Sequence, residues 1–497
     1  MKVLFFNTIA FQEDILAETM ELAKIEKEKG NELYFVGCDR GVDYCSALKT
    51  NKSYITCIQC QYKQRTLLKD INIDENNIFF LKKNIAKPYP FENSKHIEDI
   101  KPYLYKDINV GIGIASSFIS CTRDIDASLK DNKELLEAIT NTAHTIIDSI
   151  IPIFEEVKPD KVYFYNGRIV EYRTVLEYCR NQNIPFTTYE VGSTINKYTT
   201  FENTLPHDTN LSGKLAIEFS NKNPKEAKEK GTAWFVNRKQ GSVPKEKMDI
   251  NHIGGQKKYK LPTSFQKHKE DRKHIISVFN SSEDEVAALG SDIWETYGRQ
   301  SDVMEQVIEE FDRNYPNYVF YIRIHPNQKN LIDSAEVQKI IQIPQKYTNV
   351  EVILPAEDID TYALMEESHK ILSFGSTMGV ESTFWGKPSI VYGSGFYKNI
   401  PNAAYFPDSF EKLIAILKDK KLEPLSKEAA IIYGYYISER GEELKEYKFP
   451  LFTKNNRFET KKNSIYLYLK LYNFLIKNKF PMRFFPQKKF YNLFLKK

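Results

Sequence analysis

The sequence predicts an α/β protein built from two doubly wound, Rossmann-like domains, with a basic, aromatic helical tail at its C-terminus. Three observations lead there. Short apolar runs bounded by turn residues alternate with stretches whose apolar residues recur at helical spacing, the order that produces a parallel sheet. At 497 residues the chain is too long for one core. From Lys461 onward it carries ten Lys or Arg and no Asp or Glu.

The hydrophobic fraction of 41% and charged fraction of 27% are those of a soluble globular protein. A net charge of +4 is too small to argue for nucleic acid. The N-terminal run MKVLFFNTIAF is too short for a signal segment or a membrane span and reads as a first strand. The remaining runs are too short or too charged to cross a membrane, so a cytoplasmic chain with reduced thiols is expected.

The elements follow in order. Lys2–Phe6 is a strand, Asp14–Lys29 a helix closed by Gly30, and Glu32–Val36 a second strand. The loop between, Asn7–Glu13, lacks G-x-G-x-x-G, so nothing there suggests a dinucleotide. Tyr62–Tyr105 is poorly patterned apart from a strand near Ile78–Leu81. Val110–Ser120 is apolar with small residues, and Arg123 after it suits a cleft or a surface ion pair equally. Asn132–Val157 is a long helix. Lys161–Tyr165 and Ile184–Tyr189 are strands, each ending in a polar loop: Asn166-Gly167-Arg168, and Glu190-Val191-Gly192-Ser193. These features assign 1–215 to the first domain.

A Lys-rich connector, 216–273, leads to the second domain, 274–425. There His274–Phe279, Tyr318–Ile324 and Val350–Leu354 are strands, with a helix between the first two and another, Ile359–Glu367, after the third. Asn280-Ser281-Ser282 follows the first strand. Arg323 and His325 end the second, stopped by Pro326. The extension 426–497 contains the basic tail.

The stretch Lys370–Tyr397 is the most informative. Ile371–Phe374 is a strand, Gly375-Ser376-Thr377 a tight turn, Met378–Trp385 a helix and Ser389–Tyr392 the next strand. Unpaired N–H groups at such a helix start suit phosphate, and Ser376 and Thr377 add hydroxyls. Gly375 and Gly379 remove Cβ atoms where a ligand or the sheet comes close. Glu381, one turn beyond Thr377, can reach toward a sugar. The Asn280–Ser282 loop, Arg323 with His325, and the Gly375–Gly379 turn all fall at the carboxyl ends of strands in one sheet, where open α/β sheets bind ligands.

GSTMGVESTFWGKPSIVYG resembles the nucleotide-sugar segment of GT-B glycosyltransferases, especially the bacterial capsule and surface-polysaccharide biosynthesis families. The R-x-H-P element and the S-S-x-D-E loop belong to the same resemblance, which covers most of the chain and is strongest from His274 to Tyr397. It implies two domains facing a cleft and a metal-independent glycosyl transfer with no cofactor required for catalysis. The donor would be a nucleotide-sugar; the acceptor would be a bacterial surface glycan or a lipid-linked precursor. It further implies donor binding by Asn280, Ser281, Ser282, Arg323, His325, Ser376, Thr377, Gly379 and Glu381, with Glu381 on the ribose. Arg323, His325 and the helix start would meet the charge of the leaving diphosphate. Asn166, Arg168 and Arg173 become acceptor-side candidates. Glu190 is a candidate base for the acceptor hydroxyl or a partner for one of those arginines, and His325 a second catalytic candidate. Asp358-Ile359-Asp360 is spelled like a metal-binding D-x-D but sits where Asp caps a helix.

Other readings stay open: polyol-phosphate transfer of the teichoic-acid type, a sugar-nucleotide 2-epimerase, and a non-catalytic subunit of a polysaccharide assembly complex. Cys38, Cys45, Cys57 and Cys60 fit either a structural zinc site or small buried hydrophobes. The tail, with Tyr466, Tyr472, Phe484 and Phe485 among its cations, fits the inner face of a membrane or a helix packed back on the first domain.

Overall fold

The computed structural model describes residues 1–48, 54–83, 87–242 and 259–452. They form two compact units. The first comprises Met1–Cys121, Ser128–Pro206 and the chain from Gly441; the second comprises Thr122–Ala127 and His207–Arg440.

In the first unit the strands are β1 (Lys2–Phe6), β2 (Glu32–Gly37), β3 (Ile78–Phe80), the hairpin β4 (Leu104–Tyr105) and β5 (Ile108–Asn109), β6 (Lys161–Tyr165), β7 (Phe186–Val191) and β8 (Lys197–Glu202). The main sheet runs β8-β7-β6-β1-β2-β3 and is parallel from β7 to β3. β8 is antiparallel, and the short strand Glu442–Glu443 adds to its outer edge. The order of the parallel strands is the doubly wound one. Val3, Leu4, Phe5 and Phe6 are all fully buried because helices cover both faces of the sheet.

The second unit holds β9 (His274–Phe279), β10 (Tyr318–Arg323), β11 (Val350–Ile353), β12 (Lys370–Ser373) and β13 (Ser389–Val391). They form one parallel sheet in the order β11-β10-β9-β12-β13, the same topology again. On one face Ile276, Phe320, Ile322 and Leu372 pack under the helix Gln300–Asn314. On the other, Ile275, Tyr321 and Ile371 pack with Phe265 and Met365.

The apolar stretch at Val110–Ser120, given no element from the sequence, is a helix, Gly111–Thr122. Part of the poorly patterned region is also helical, Tyr54–Asp70. Its inward residues include Gln61 and Gln64, both buried, so it carries no apolar stripe to read. Gln64 Nε2 donates to the Asn7 carbonyl at 3.0 Å, which anchors the helix to the loop after β1.

The connector 216–273 is largely not a linker. The helices Thr209–Lys222 and Pro224–Gln240 belong to the second unit, and the first unit gives up the chain at Pro206 rather than at 215. Trp234 and Phe235 pack with Phe384, Tyr397 and Ile431 in one cluster, joined by the helix Glu428–Glu439. A Cβ on Gly231 would lie 2.3 Å from the Ile431 carbonyl, so glycine is what lets these two helices cross closely. The lysines between the aromatics hid this core from a compositional reading. Helix Glu428–Glu439 likewise belongs to the second unit and not to a separate extension.

From Gly441 the chain returns to the first unit. Leu444, Tyr447 and Leu451 are fully buried among Leu16 and Met20. Glu21, itself buried, accepts the backbone N–H groups of Lys445, Glu446 and Tyr447 at 3.1, 2.9 and 3.1 Å. The basic aromatic tail from Lys461 lies outside the described residues. Among those described, no helix is long and apolar enough to cross a membrane.

Glu21→Ala leaves three N–H groups of this returning strap without their acceptor. The expected cost is on the order of 3 kcal/mol, read as a lower urea midpoint. Limited proteolysis should then cut within 441–452; resistance equal to wild type would show that the apolar contacts alone hold the strap.

Candidate functional site

Three loops at the carboxyl edge of the second unit's sheet are stitched together by side chains. Asn280, just past β9 and 2% exposed, accepts the His325 N–H at 2.8 Å and donates to Gln328 at 2.7 Å. It thereby ties the β9 loop to the β10 loop. Ser281 donates to the Phe374 carbonyl at 2.7 Å, tying the β9 loop to the end of β12, and Gln300 holds Ser281 from the side. Ser282 is half-buried and begins the turn Glu283–Glu285. Of the three segments expected to converge, Asn280–Ser282, Arg323 with His325 and the Gly375–Gly379 turn, these bonds join the first to His325 and to Phe374, the residue before the turn, with Asn280 and Ser281 as braces.

His325 is half-buried. Its Nδ1 accepts the Asn327 N–H at 3.2 Å, which leaves the proton of the neutral ring on Nε2. Burial, with the positive charges of Arg323 and Arg238, pushes its pKa down to about 4. At neutral pH the ring is an uncharged donor and not a cation.

Arg323 differs from expectation. It is 5% exposed, and its guanidinium donates to the carbonyls of Leu354 and Glu357 in the loop after β11. That pairing keeps the loop in place.

The Gly375 turn is shaped by packing. Gly375 has φ +84°, and a Cβ there would meet the Ser394 carbonyl at 2.5 Å. A Cβ on Gly379 would lie 2.2 Å from the Tyr397 hydroxyl, so this glycine admits the neighbouring ring and not a ligand. Tyr397 in turn donates to the Ser376 carbonyl at 2.6 Å. Ser376 Oγ accepts the Met378 N–H at 3.3 Å.

Glu381 does not extend toward a sugar. It is 1% exposed, accepts the Tyr362 hydroxyl at 2.5 Å, and forms an ion pair with Arg238 at 3.2 Å. Arg238 also donates to Thr377 Oγ1 at 3.4 Å and lies 4.7 Å over the Trp234 ring. Arg238 carries no local sequence signal, since it sits in the stretch read as a connector.

The carboxyl edge of the first unit's sheet holds a second cluster. Asn166 and Gly167 take left-handed backbone at φ +50° and +80°, a sharp turn that brings the Asn166 side chain onto Glu190. Tyr165 donates to Glu190 Oε1 at 2.5 Å. Asn166 Oδ1 accepts the Arg168 N–H at 3.1 Å, which fixes the turn. Glu18 lies fully buried nearby, and burial together with the Glu190 charge raises its pKa well above the usual carboxyl range. No sequence pattern singled out Glu18, since a glutamate early in a helix reads as solvated. Arg173 is not an acceptor-side residue by position: it is 1% exposed and paired with Glu177 at 2.6 Å.

Cys38, Cys45, Cys57 and Cys60 line one apolar cavity with Ile9, Phe11 and Val42. Among the described residues no group of three or more His, Cys, Asp or Glu is gathered as a metal needs. Burial pushes the Cys60 thiol up to about 12 and the Cys45 thiol up as well.

Residues 263–400 match the family model described as capsule polysaccharide biosynthesis protein. No curated protein matches the chain. Among solved structures the chain is similar to the KpsC beta Kdo 2,4 transferase of Thermosulfurimonas dismutans, with 13% identity and a TM-score of 0.35 over 56% of this chain and 79% of that one. It is similar to a putative UDP-N-acetylglucosamine 2-epimerase from Listeria monocytogenes, with 11% identity and a TM-score of 0.30 over 87% of this chain and 93% of that one. It is also similar to S. aureus MnaA in a co-structure with UDP, with 12% identity and a TM-score of 0.30 over 88% of this chain and 94% of that one.

The depressed His325 value has a stability consequence. An unfolded histidine takes its proton near pH 6.5, whereas folded His325 waits until about 4. The unfolded chain therefore binds more protons between those values, and stability falls as pH drops through that window. Urea melts at pH 7 and pH 5 should show His325→Gln losing less stability than wild type, by on the order of 1 kcal/mol. Equal losses would mean that His325 titrates normally in the fold.

Proposed function

We propose that this chain, whose residues 263–400 match the family model described as capsule polysaccharide biosynthesis protein, is a glycosyltransferase that moves a sugar from a nucleotide-sugar donor to a bacterial surface glycan or its lipid-linked precursor. The observation that carries the reading is the braced strand edge of the second unit. Asn280 and Ser281 fix the loops after β9, β10 and β12 against one another, with the neutral His325 ring among them. A nucleotide-sugar needs such a preorganised set of donors, because its leaving diphosphate gains charge as the glycosidic bond breaks. His325 contributes the Nε2 hydrogen, and Ser376 and Thr377 contribute hydroxyls. Each acts without first being ionised or reoriented.

The first unit supplies the acceptor chemistry in this reading. Glu190 is held by Tyr165 and Asn166 at the edge of its own sheet. A carboxylate held at such an edge can take the proton of an acceptor hydroxyl. The left-handed turn at Asn166 is a cost accepted to aim that side chain, as strained backbone at working sites often is.

Melting curves against UDP, GDP, CMP and CDP and their sugar conjugates test the donor half. One nucleotide should raise the melting temperature by mass action, and Asn280→Ala should weaken that rise by undoing the brace. No shift with any nucleotide would reject the donor site and favour a non-catalytic assembly subunit. Glu190→Gln should leave the shift intact while lowering transfer to acceptor by roughly a hundredfold or more. Full turnover in Glu190→Gln would remove the base from this residue.

A further inference from the structure

A cavity in the first unit has no part in the transfer described so far. It lies among the loop after β1, the loop after β2 and the helix Tyr54–Asp70. It holds about 420 Å³ of free space with its mouth included, within the range of small-molecule sites. Cys38, Cys45, Cys57 and Cys60 form its wall with Phe11 and Val42. All four cysteines are half-buried, and the raised pKa values of Cys45 and Cys60 keep those thiols neutral, so they add apolar surface.

Polar side chains interrupt this wall at Thr8, Arg40 and Thr56. Thr8 is 4% exposed, and its Oγ1 has no hydrogen-bond partner among the described residues. A buried hydroxyl left in that state costs about 1–3 kcal/mol, which a polar ligand atom would recover. Arg40 brings a positive charge to the lining. An apolar space with an arginine and a hydroxyl on its wall suits an apolar chain that carries a phosphate. It does not suit a free glycan, whose many hydroxyls would lose water there and find few partners.

The cavity shares its sheet edge with Glu190. The strand order β7-β6-β1-β2, at about 4.8 Å per strand, puts the loops after β1 and β2 roughly 10–14 Å from the end of β7. Hydrogen bonds keep the two places in register. Asn7 Nδ2 donates to Thr19 Oγ1 at 2.8 Å, and Thr19 Oγ1 is bonded to the Tyr189 hydroxyl at 2.6 Å. Asn7 Oδ1 also accepts the Ile9 N–H at 3.0 Å, which fixes the loop that forms one side of the cavity. A sugar with its phosphate link can bridge that gap.

We infer that this cavity takes the head of a phosphate-linked lipid acceptor, with the phosphate toward Arg40 and Thr8, the first carbons of the chain against the thiol wall, and the sugar reaching Glu190. The inference rests on the transfer reading above and chooses between its two acceptors: the lipid-linked precursor, and not the finished glycan.

Farnesyl phosphate, a soluble lipid phosphate, is the probe. By calorimetry it should bind wild type at least about tenfold more tightly than farnesol or inorganic phosphate does. At about ten times its Kd it should slow methanethiosulfonate labelling of Cys57 and Cys60 roughly tenfold, located by peptide mass, and leave Cys121 unaffected. Ala47→Trp and Cys57→Phe fill the cavity from half-buried positions. Each should bind farnesyl phosphate at least about tenfold more weakly while keeping the nucleotide-induced melting shift. Arg40→Gln should bring farnesyl phosphate down to the affinity of farnesol. Unchanged labelling under bound probe, undiminished binding in both filled variants, or farnesol binding as tightly as its phosphate would overturn the inference. So would equal protection of the cysteines by phosphatidylglycerol vesicles, which would make the cavity a membrane contact. A wild type that responds to nucleotide but does not bind farnesyl phosphate would overturn it too, and leave transfer to a finished glycan standing. A wild type that responds to no nucleotide would reject the transfer reading, and with it the acceptor role of the cavity.

Discussion

The carboxamide of Asn280 is the contact on which the second unit's working edge depends. Parallel strands end in loops whose backbone groups no longer pair within the sheet, and a loop left to itself would sample many conformations. One side chain with one acceptor and one donor fixes two such loops, through the His325 N–H and through Gln328. Because Asn280 is buried, each bond forms away from competing water. Ser281 extends the brace to β12. The polar residues that looked like ligands in the sequence are in part the frame that makes a ligand site rigid.

Both units solve the same problem with different means. In the first unit the loop after β6 is set by backbone conformation: two left-handed residues in succession turn the chain back on itself and deliver the Asn166 side chain to Glu190. Glycine at 167 is required there, since a Cβ would lie 2.5 Å from Leu205 in addition to the positive φ. In the second unit the loops are set by side-chain hydrogen bonds. A strained turn aims one group accurately. A buried amide aims several at once, and it suits an edge where three segments must keep their spacing.

What was legible in the sequence follows from range. Strands β1, β9, β10 and β12 announced themselves because a parallel strand buried on both faces is a continuous apolar run. Asn166 after β6, Asn280 after β9 and His325 after β10 were legible as rim residues because position in the chain fixes position on the rim. Arg238 was not, since its partner Glu381 lies 143 residues away and the intervening chain gives no periodic clue. Arg173 misled for a related reason: an arginine after a strand–turn unit reads as exposed, but this one lies under the helix Gly111–Thr122, where Gly113 leaves room for its stem. The strap after Gly441 stayed hidden because Glu21, its anchor, looks like any helix-surface acid.

The protonation states give the edge its chemical character. Burial, with the charges of Arg323 and Arg238, holds the His325 pKa down to about 4, so this edge presents the ring as a neutral donor. In the transfer proposed above, that preparation would matter because the charge of the leaving group grows during the reaction. A fully ionised pocket would bind the intact donor and the departing nucleotide with similar strength, and uniform binding does not lower a barrier. A neutral Nε2–H strengthens its bond as negative charge accumulates on the oxygen it meets. The same charge draws the imidazole's own pKa upward, so proton affinity and bond strength rise together along the reaction. In that proposed transfer, His325 would be a responsive donor, its interaction weakest before bond cleavage and strongest as the nucleotide leaves.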